Sequence, residues 1–402
     1  MKSTDLIAGF AHLRPVHPFP ARMAPEIALS RLRSRKRLRV MDPMVGSGTS
    51  VVLASMLGHA AFGYDSDPLA LLVASTWCSQ LDEPRFRAAL ARILNAAKDE
   101  WMRAKPHPPC ADSETKRFLR YWFDLETRKK LVALSAHIRA TKSVSLRTQL
   151  WCVFSRLIVV KDNGVSLARD VSHSRPHRSY DMAPGDPFAL LPRAGEQLIR
   201  TLKALPQKRR QVSLKSGDAR RLPIRTASMD LVITSPPYLN AIDYMRGHRM
   251  SLVWMGYNLE QLRNIRGSAV GAEAGRAEVP EQLVSAKKAM GDLDILDCRL
   301  QRMVNKYVVD MNAVMAEIAR VLKRDGRAIV VIGNSTLRGI FLKNSELIVR
   351  LSKLHGLELS HRRWRRIPTS KRYLPPPSLQ PNAAPLACRM RTEVVLTFTS
   401  TK

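Results

Sequence analysis

Residues 42 to 49 read DPMVGSGT, an acid and a proline ahead of a Gly-x-Gly turn. Between a strand and a helix, such a turn brings backbone N–H groups and a helix N-terminus close to a ligand. A phosphate-cradling loop would need a lysine after its last glycine, and Thr49 stands there; a nicotinamide fingerprint would need a third glycine where Val51 stands. Asp42 would repel a phosphate, yet it would accept from an ammonium group or hold the loop. The sequence GYDSDP sets Asp65 at a second strand end, where an acid accepts both hydroxyls of a ribose. SGDARRLP sets Asp218 at the same rim. A tight strand–helix turn without a ligand would account for the glycines alone, but not for the acids around them. Loop and acids together suit a cationic nucleoside better than a nucleotide, and S-adenosylmethionine carries an ammonium, a sulfonium, a ribose and no phosphate. The candidate cofactor residues are Asp42, Pro43, Gly46, Gly48, Thr49, Asp65 and Asp218.

These residues need strands to hold them. Short apolar runs bounded by turn residues predict seven: 38–41, 60–64, 212–215, 230–234, 327–333, 357–364 and 393–399. Helical patterns alternate with them, which argues for an α/β fold with a parallel sheet covered on both faces. TSVVLASMLG (49–58) has a glycine where a helix should stop. Apolar residues at 311, 314, 315, 318, 321 and 322 mark one face of another helix, which Asp325-Gly326 is expected to close. Two stretches break the rhythm: a basic, mostly helical one over 80–205 and a polar one over 256–305. Neither adds an evident strand to the sheet, and no internal repeat is visible.

The fourth strand runs into VITSPPYLN (232–240), which puts Thr234-Ser235-Pro236-Pro237-Tyr238 at the same edge. Proline ends a strand because it lacks a ladder donor, so a strand end and a turn would explain the prolines by themselves. The ordered set DPMVGSGT, GYD, SGDARRLP and TSPPY resembles the DNA amino-methyltransferases, which methylate cytosine N4 or adenine N6. HPFPARMAPEIA (17–28) resembles that family's N-terminal cofactor element, adding His17 and Phe19 to the cofactor set. IARVLKRDGRAIVVIGNS (318–335) resembles the stretch that builds its fifth strand. The likeness covers about two thirds of the chain, everything but the two insertions.

The resemblance implies a Rossmann-like, seven-stranded mixed sheet of the class I S-adenosylmethionine-dependent methyltransferases, its last strand antiparallel, with a largely helical insertion. It divides the chain into a cofactor-binding half (1–79), a basic helical insertion and candidate target-recognition region (80–205), a catalytic strand region (206–255), a second insertion (256–305) and the C-terminal part of the methyltransferase domain (306–402). In the chemistry it implies, Ser235 and the Pro236 carbonyl accept from the two N–H groups of an exocyclic amine whose lone pair is otherwise delocalised into the ring. Pro236 and Pro237 fix that carbonyl's direction, and Tyr238 stacks on a base taken out of the helix. Serine at position 235 favours cytosine N4 over adenine N6, which more often has Asp or Asn there. A cytosine-C5 enzyme would need a thiolate after a proline; Pro109-Cys110 lies far from the cofactor strands. An RNA amino-methyltransferase on the same fold is a second reading, and a non-catalytic nucleic-acid binder a third.

Lys and Arg number 66 against 34 Asp and Glu, a net charge of +32. Solubility needs a far smaller excess, so a polyanionic partner is expected, nucleic acid before an acidic membrane; with the resemblance this becomes double-stranded DNA before RNA, and no membrane. The five cysteines are scattered without metal-ligand spacing, which predicts no metal site and a reduced intracellular compartment; the resemblance implies the cytoplasm of a bacterium or phage host, with the nucleoid as the location. No apolar run reaches membrane-spanning length. Candidate nucleic-acid contacts are the segment 161–180, then Tyr244, Arg246 and Arg249 after the TSPPY motif, and Arg362, Arg363 and Arg365 in HRRWRRIPTSKRY (361–373); Trp254 is expected in the core.

Overall fold

The computed structural model describes residues 14–20, 22–206, 209–239, 243–272, 277–338, 340–367 and 391–401. Residues 240–242 and 368–373 of the candidate contact segments, and Cys388, lie outside them.

Seven strands form one sheet: β1 (Arg39–Asp42), β2 (Ala60–Asp65), β3 (Val212–Ser216), β4 (Met229–Thr234), β5 (Leu322–Ile332), β6 (Leu357–Arg366) and β7 (Thr392–Ser400). The order across the sheet is β3-β2-β1-β4-β5-β7-β6. All neighbours pair in parallel except β7, which runs antiparallel to both β5 and β6. Each expected strand is present, and the antiparallel strand is the last. After β3 the chain returns to the other side of β1, so the order reverses between β1 and β4. In open α/β sheets the carboxyl edge at such a reversal is where ligands bind.

Among the described residues thirteen α-helices accompany the strands: α1 (Pro25–Leu32), α2 (Thr49–Met56), α3 (Pro68–Cys78), α4 (Glu83–Glu100), α5 (Ser113–Trp122), α6 (Leu125–Arg139), α7 (Val144–Ile158), α8 (Pro187–Lys203), α9 (Met245–Leu252), α10 (Leu259–Ser268), α11 (Glu281–Lys288), α12 (Cys298–Val321) and α13 (Asn344–Leu354). Successive strand residues face opposite sides of the sheet. Leu231, Ile233 and Val331 therefore join one core with α1, α2, α3 and the helices of the 80–205 insertion. Val232, Val330 and Ile332 join the other, with α12 and α13. Phe86, Leu119, Phe123 and Phe154 of the insertion share the first core with Val40 and Val52. Trp254 is fully buried there, its ring edge-on to Phe123 at 5.2 Å.

One expected boundary moves. Helix α12 ends at Val321, and Asp325-Gly326 lies inside β5. The register jumps from Met229↔Leu322 to Leu231↔Arg327, so these residues form a bulge, with Asp325 at φ 60°. The 80–205 insertion adds no strand to the main sheet, only a separate ribbon pairing Ala168–Arg169 with His177–Arg178. Among the described residues no cluster of His, Cys, Asp or Glu could hold a metal ion, and no helix is long and apolar enough to cross a membrane.

Candidate active site

The loop after β1 is shaped by its two glycines. Gly46 and Gly48 have φ of +49° and +88°, a conformation costly for residues with a Cβ. At Gly48 a Cβ would lie 2.9 Å from the Cα of Ala74 in α3, so the turn and that helix approach as closely as glycine allows. Gly48 also starts α2, whose Thr49 is buried. The acids hold this loop. Asp65 accepts from the Gly46 N–H at 2.8 Å through one oxygen and from the Asp67 N–H at 3.0 Å through the other. Asp42 accepts from the Met44 N–H at 3.1 Å and from the Ser50 hydroxyl.

Both acids are short of water. Burial pushes the Asp42 carboxyl up to about 7, against the lowering effect of hydrogen bonds from Ser50, Thr234 and Met44. Burial, then the neighbouring charge of Asp67, pushes Asp65 up to about 6. Two carboxyls held this way at the ends of adjacent strands favour a cationic guest, whose charge would restore their ionised form.

Phe19 lies over the glycine loop, 3.8 Å from where a Cβ on Gly46 would be, with its ring 4.9 Å from His248 and 6.2 Å from Tyr244 of the segment after β4. Burial, followed by the charge of Asp65, raises Tyr244 to about 12, so its phenol stays neutral beside that acid. His248 donates from Nδ1 to Asp67, whose other oxygen caps α3 by accepting from the Leu69 N–H at 2.8 Å. Asp67 thereby joins the end of β2 to α9. His17 lies deeper, near enough to His248 for that ring's charge to act on it. It is fully buried with Nε2 3.0 Å from the Ser155 hydroxyl of α7, and burial holds its pKa well below the ordinary value. It pegs the N-terminal element to the insertion.

Asp218 also differs from expectation. Its carboxylate is taken by Arg220 of its own turn, at 2.7–3.1 Å, and Arg220 reaches on to Asp310 of α12 at 2.7 Å. Burial works to raise the Asp218 pKa, and Arg220 more than offsets it.

At the end of β4, Ser235 donates its hydroxyl proton to the Val331 carbonyl of β5 at 3.0 Å, while its Oγ lies 3.4 Å from the Tyr238 hydroxyl. With its proton on Val331, Ser235 meets the Tyr238 hydroxyl as an acceptor and keeps one further lone pair. Tyr307 of α12, itself fully buried, donates to the Pro237 carbonyl at 3.0 Å and fixes the turn. Among the described residues the Pro236 carbonyl accepts no backbone hydrogen bond outside regular elements. Burial raises the Tyr238 phenol well above its ordinary pKa, so the half-buried ring is neutral.

The nucleic-acid candidates divide. Arg246 is exposed with Asp243 3.3 Å away, and Arg363 is exposed. Arg249 is half-buried, its guanidinium 5.2 Å over the Phe118 ring, and burial lowers its pKa. Arg362 is paired with Glu346 at 2.6 Å, and Arg365 bridges Glu393 and Glu26, each at 2.5 Å. These three cations are already engaged within the fold. Arg220 and Val331 lie inside the sequence motifs and His248 between Arg246 and Arg249, but nothing local showed their partners; Tyr307 comes from just beyond the second insertion with no motif at all.

No protein-family model matches this chain. Over 88% of its length it is 21% identical to the Type II methyltransferase M.MvaI of Kocuria varians, covering 84% of that protein. It is 22% identical to the Type II methyltransferase M.AvaI of a Nostoc species over 80% of this chain and 73% of that one. Among solved structures, an S-adenosylmethionine-dependent methyltransferase of Methanosarcina mazei aligns with 94% of this chain and 99% of its own at 9% identity and a TM-score of 0.34. The ordered motifs and the curated relatives agree: the chain is similar, at low identity and over most of its length, to Type II methyltransferases.

Proposed function

We propose that this protein transfers a methyl group from S-adenosylmethionine to the exocyclic amine of a base at specific sites in double-stranded DNA, and that the base is cytosine, modified at N4. The observation that carries this reading is the hydroxyl of Ser235, whose proton goes to Val331 and which keeps a lone pair at the mouth of β4 beside Tyr238. The Type II methyltransferase relatives support DNA as the substrate.

The rim fits the cofactor. Gly48 lets the turn pack against α3 and Gly46 lies under Phe19, Asp42 is the acid for an ammonium group, and Asp65 keeps lone pairs for ribose hydroxyls while holding the Gly46 N–H. Thr49 and Pro43 shape the same turn, and Phe19 and Tyr244 wall it with aromatic rings. When bound, S-adenosylmethionine supplies an electrophilic methyl on a sulfonium that departs as a neutral thioether.

The chain's own residues prepare the nucleophile. Ser235 Oγ and the Pro236 carbonyl accept from the two amine N–H groups, drawing nitrogen toward tetrahedral geometry and freeing its lone pair. Tyr307 holds the Pro237 carbonyl, so the acceptors stand in place before the base arrives. Tyr238 offers a neutral ring for the extruded base to stack on. In the family whose motifs this sequence resembles, serine at this position is commoner in cytosine-N4 members than in adenine-N6 ones, which supports cytosine over adenine.

Nucleoside mass spectrometry on genomic DNA from cells expressing the chain, beside Tyr238→Ala, tests the reading. N4-methylcytosine in the first and not the second is expected. N6-methyladenine would keep the mechanism and overturn the base. No DNA mark from folded protein that binds the cofactor, with transfer to RNA instead, would overturn DNA as the substrate.

A further inference from the structure

The segment 165–179 stands beside the clamp on a rigid mount. Its ribbon is rooted on α5 by the Leu167 N–H, which donates to the Trp122 carbonyl at 2.8 Å. At its tip, the Ser174 hydroxyl donates to the Tyr244 carbonyl at 3.2 Å. The Val171 carbonyl comes so close to α9 that a Cβ on Gly247 would lie 2.3 Å from it. Asp170 and Ser174 take the left-handed conformation, with φ of 56° and 54°, strain that persists only where surrounding contacts impose it. Tyr244 lies between this tip and the loop of β1, so the ribbon flanks the mouth where a base would enter.

Its outward side is cationic: Arg169 is paired with Asp162 at 2.6 Å, and the other arginines there have no acid partner among the described residues. Arg175, His177 and Arg178 are exposed, as are Arg120 and Tyr121 on the adjoining end of α5. Arg178 lies 5.6 Å over the Tyr121 ring, which is 51% exposed. Among the described residues Arg120, Arg175 and Arg178 make no ion pair with an acid. On β6, by contrast, Arg362 and Arg365 are bound to glutamates. An arginine held over an exposed ring keeps its fork extended at little entropic cost.

We propose that this face, the ribbon Ala168–Arg178 with the C-terminal end of α5, docks the DNA duplex beside the target base, with Arg120, Arg175 and Arg178 on its phosphates. The proposal rests on the DNA-methylation reading and names where its substrate sits. Phosphate contacts set register without reading sequence, so their loss weakens all sequences alike.

The test is equilibrium binding of a short labelled duplex to the full chain across a salt series, with Arg175→Ala/Arg178→Ala, Arg120→Ala and, from α13 on the opposite face of the sheet, Arg350→Ala/Lys353→Ala. The ribbon pair is expected to make the slope of log affinity against log salt shallower by about two, and Arg120→Ala by about one. Tyr121→Ala should weaken binding where Tyr121→Phe does not. Cofactor binding and melting temperature should match wild type in each. Wild-type slope and affinity in the ribbon variants, or an equal loss in the α13 pair, would overturn the docking face. Absence of methyl transfer by a wild type that still binds DNA through the ribbon would instead count against the catalytic reading alone.

Discussion

Ser235 and Asp42 sit at neighbouring strand ends and are constrained in opposite ways. Ser235 spends its one proton inward on Val331, which makes it an acceptor by default. Ser235→Ala removes that acceptor while leaving Tyr238 and the prolines in place. In the proposed reaction kcat should then fall by about 10²–10³-fold, as for loss of one preorganised hydrogen bond to a reacting group, with cofactor affinity unchanged; single-turnover methyl transfer and calorimetry measure the two. Asp42 is constrained by burial, which raises it from an ordinary 3.8 to about 7. Between those values the folded chain holds a proton that the unfolded chain has lost. Stability without ligand therefore falls as pH rises through that window. Binding of an ammonium-bearing ligand runs the other way, since it needs the ionised acid. Affinity for S-adenosylmethionine should tighten as pH rises toward about 7, by up to about tenfold per unit, and level off above it. Asp42→Asn should bind weakly and keep only the pH dependence that Asp65, raised to about 6, contributes; a wild-type affinity flat from pH 5 to about 8 would remove Asp42 from the ammonium site.

At the scale of elements, the join between β1, α2 and α3 is set by glycine. Gly48→Ala would force a Cβ into Ala74 and a left-handed φ on alanine. The backbone conformation costs about 1–2 kcal/mol, and overpacking about 1–3 kcal/mol more. Urea melts should show that loss, with cofactor binding weakened beyond what stability alone explains. These elements were legible because parallel strands buried on both faces read as unbroken apolar runs, and because a glycine loop with flanking acids is local in sequence. The end of α12 was not. Leu322 continues the helical face and Asp325-Gly326 resembles a stop, yet pairing of Leu322 with Met229 draws the chain into β5 three residues earlier and leaves the Asp-Gly as a bulge. The pairing of Arg362 with Glu346, and of Arg365 with Glu393 and Glu26, was equally hidden, because a basic run shows its cations and not the acids that tertiary structure brings to them. His17 looked like part of a cofactor motif until α7, 138 residues on, supplied Ser155. Tyr307 and Val331 were invisible for the same reason: each acts on the clamp only across the sheet.

Across the whole molecule, the surplus of +32 and the shared core make different demands. The charge repels itself when no polyanion is present, so the chain should be stabilised by binding one. The core argues against treating the 80–205 insertion as an appendage. Phe86, Leu119 and Phe154 pack in one continuous cluster with Val40 and Val52 of the cofactor half, and Gln149 of α7 bonds the Ser79 hydroxyl and the Gln80 carbonyl at 2.8 and 2.9 Å. Excising the insertion would expose the apolar face of α3 and strip His17 of its partner. A cluster shared in this way has no plane along which the parts can open separately, so they should unfold together. Calorimetry of the full chain at moderate salt should therefore give one transition, with calorimetric and van't Hoff enthalpies in agreement. Addition of duplex DNA should shift that single transition upward rather than split it. Two resolved transitions, with only one moved by DNA, would mean that the insertion folds by itself and that the continuous core does not bind the two halves into one cooperative unit.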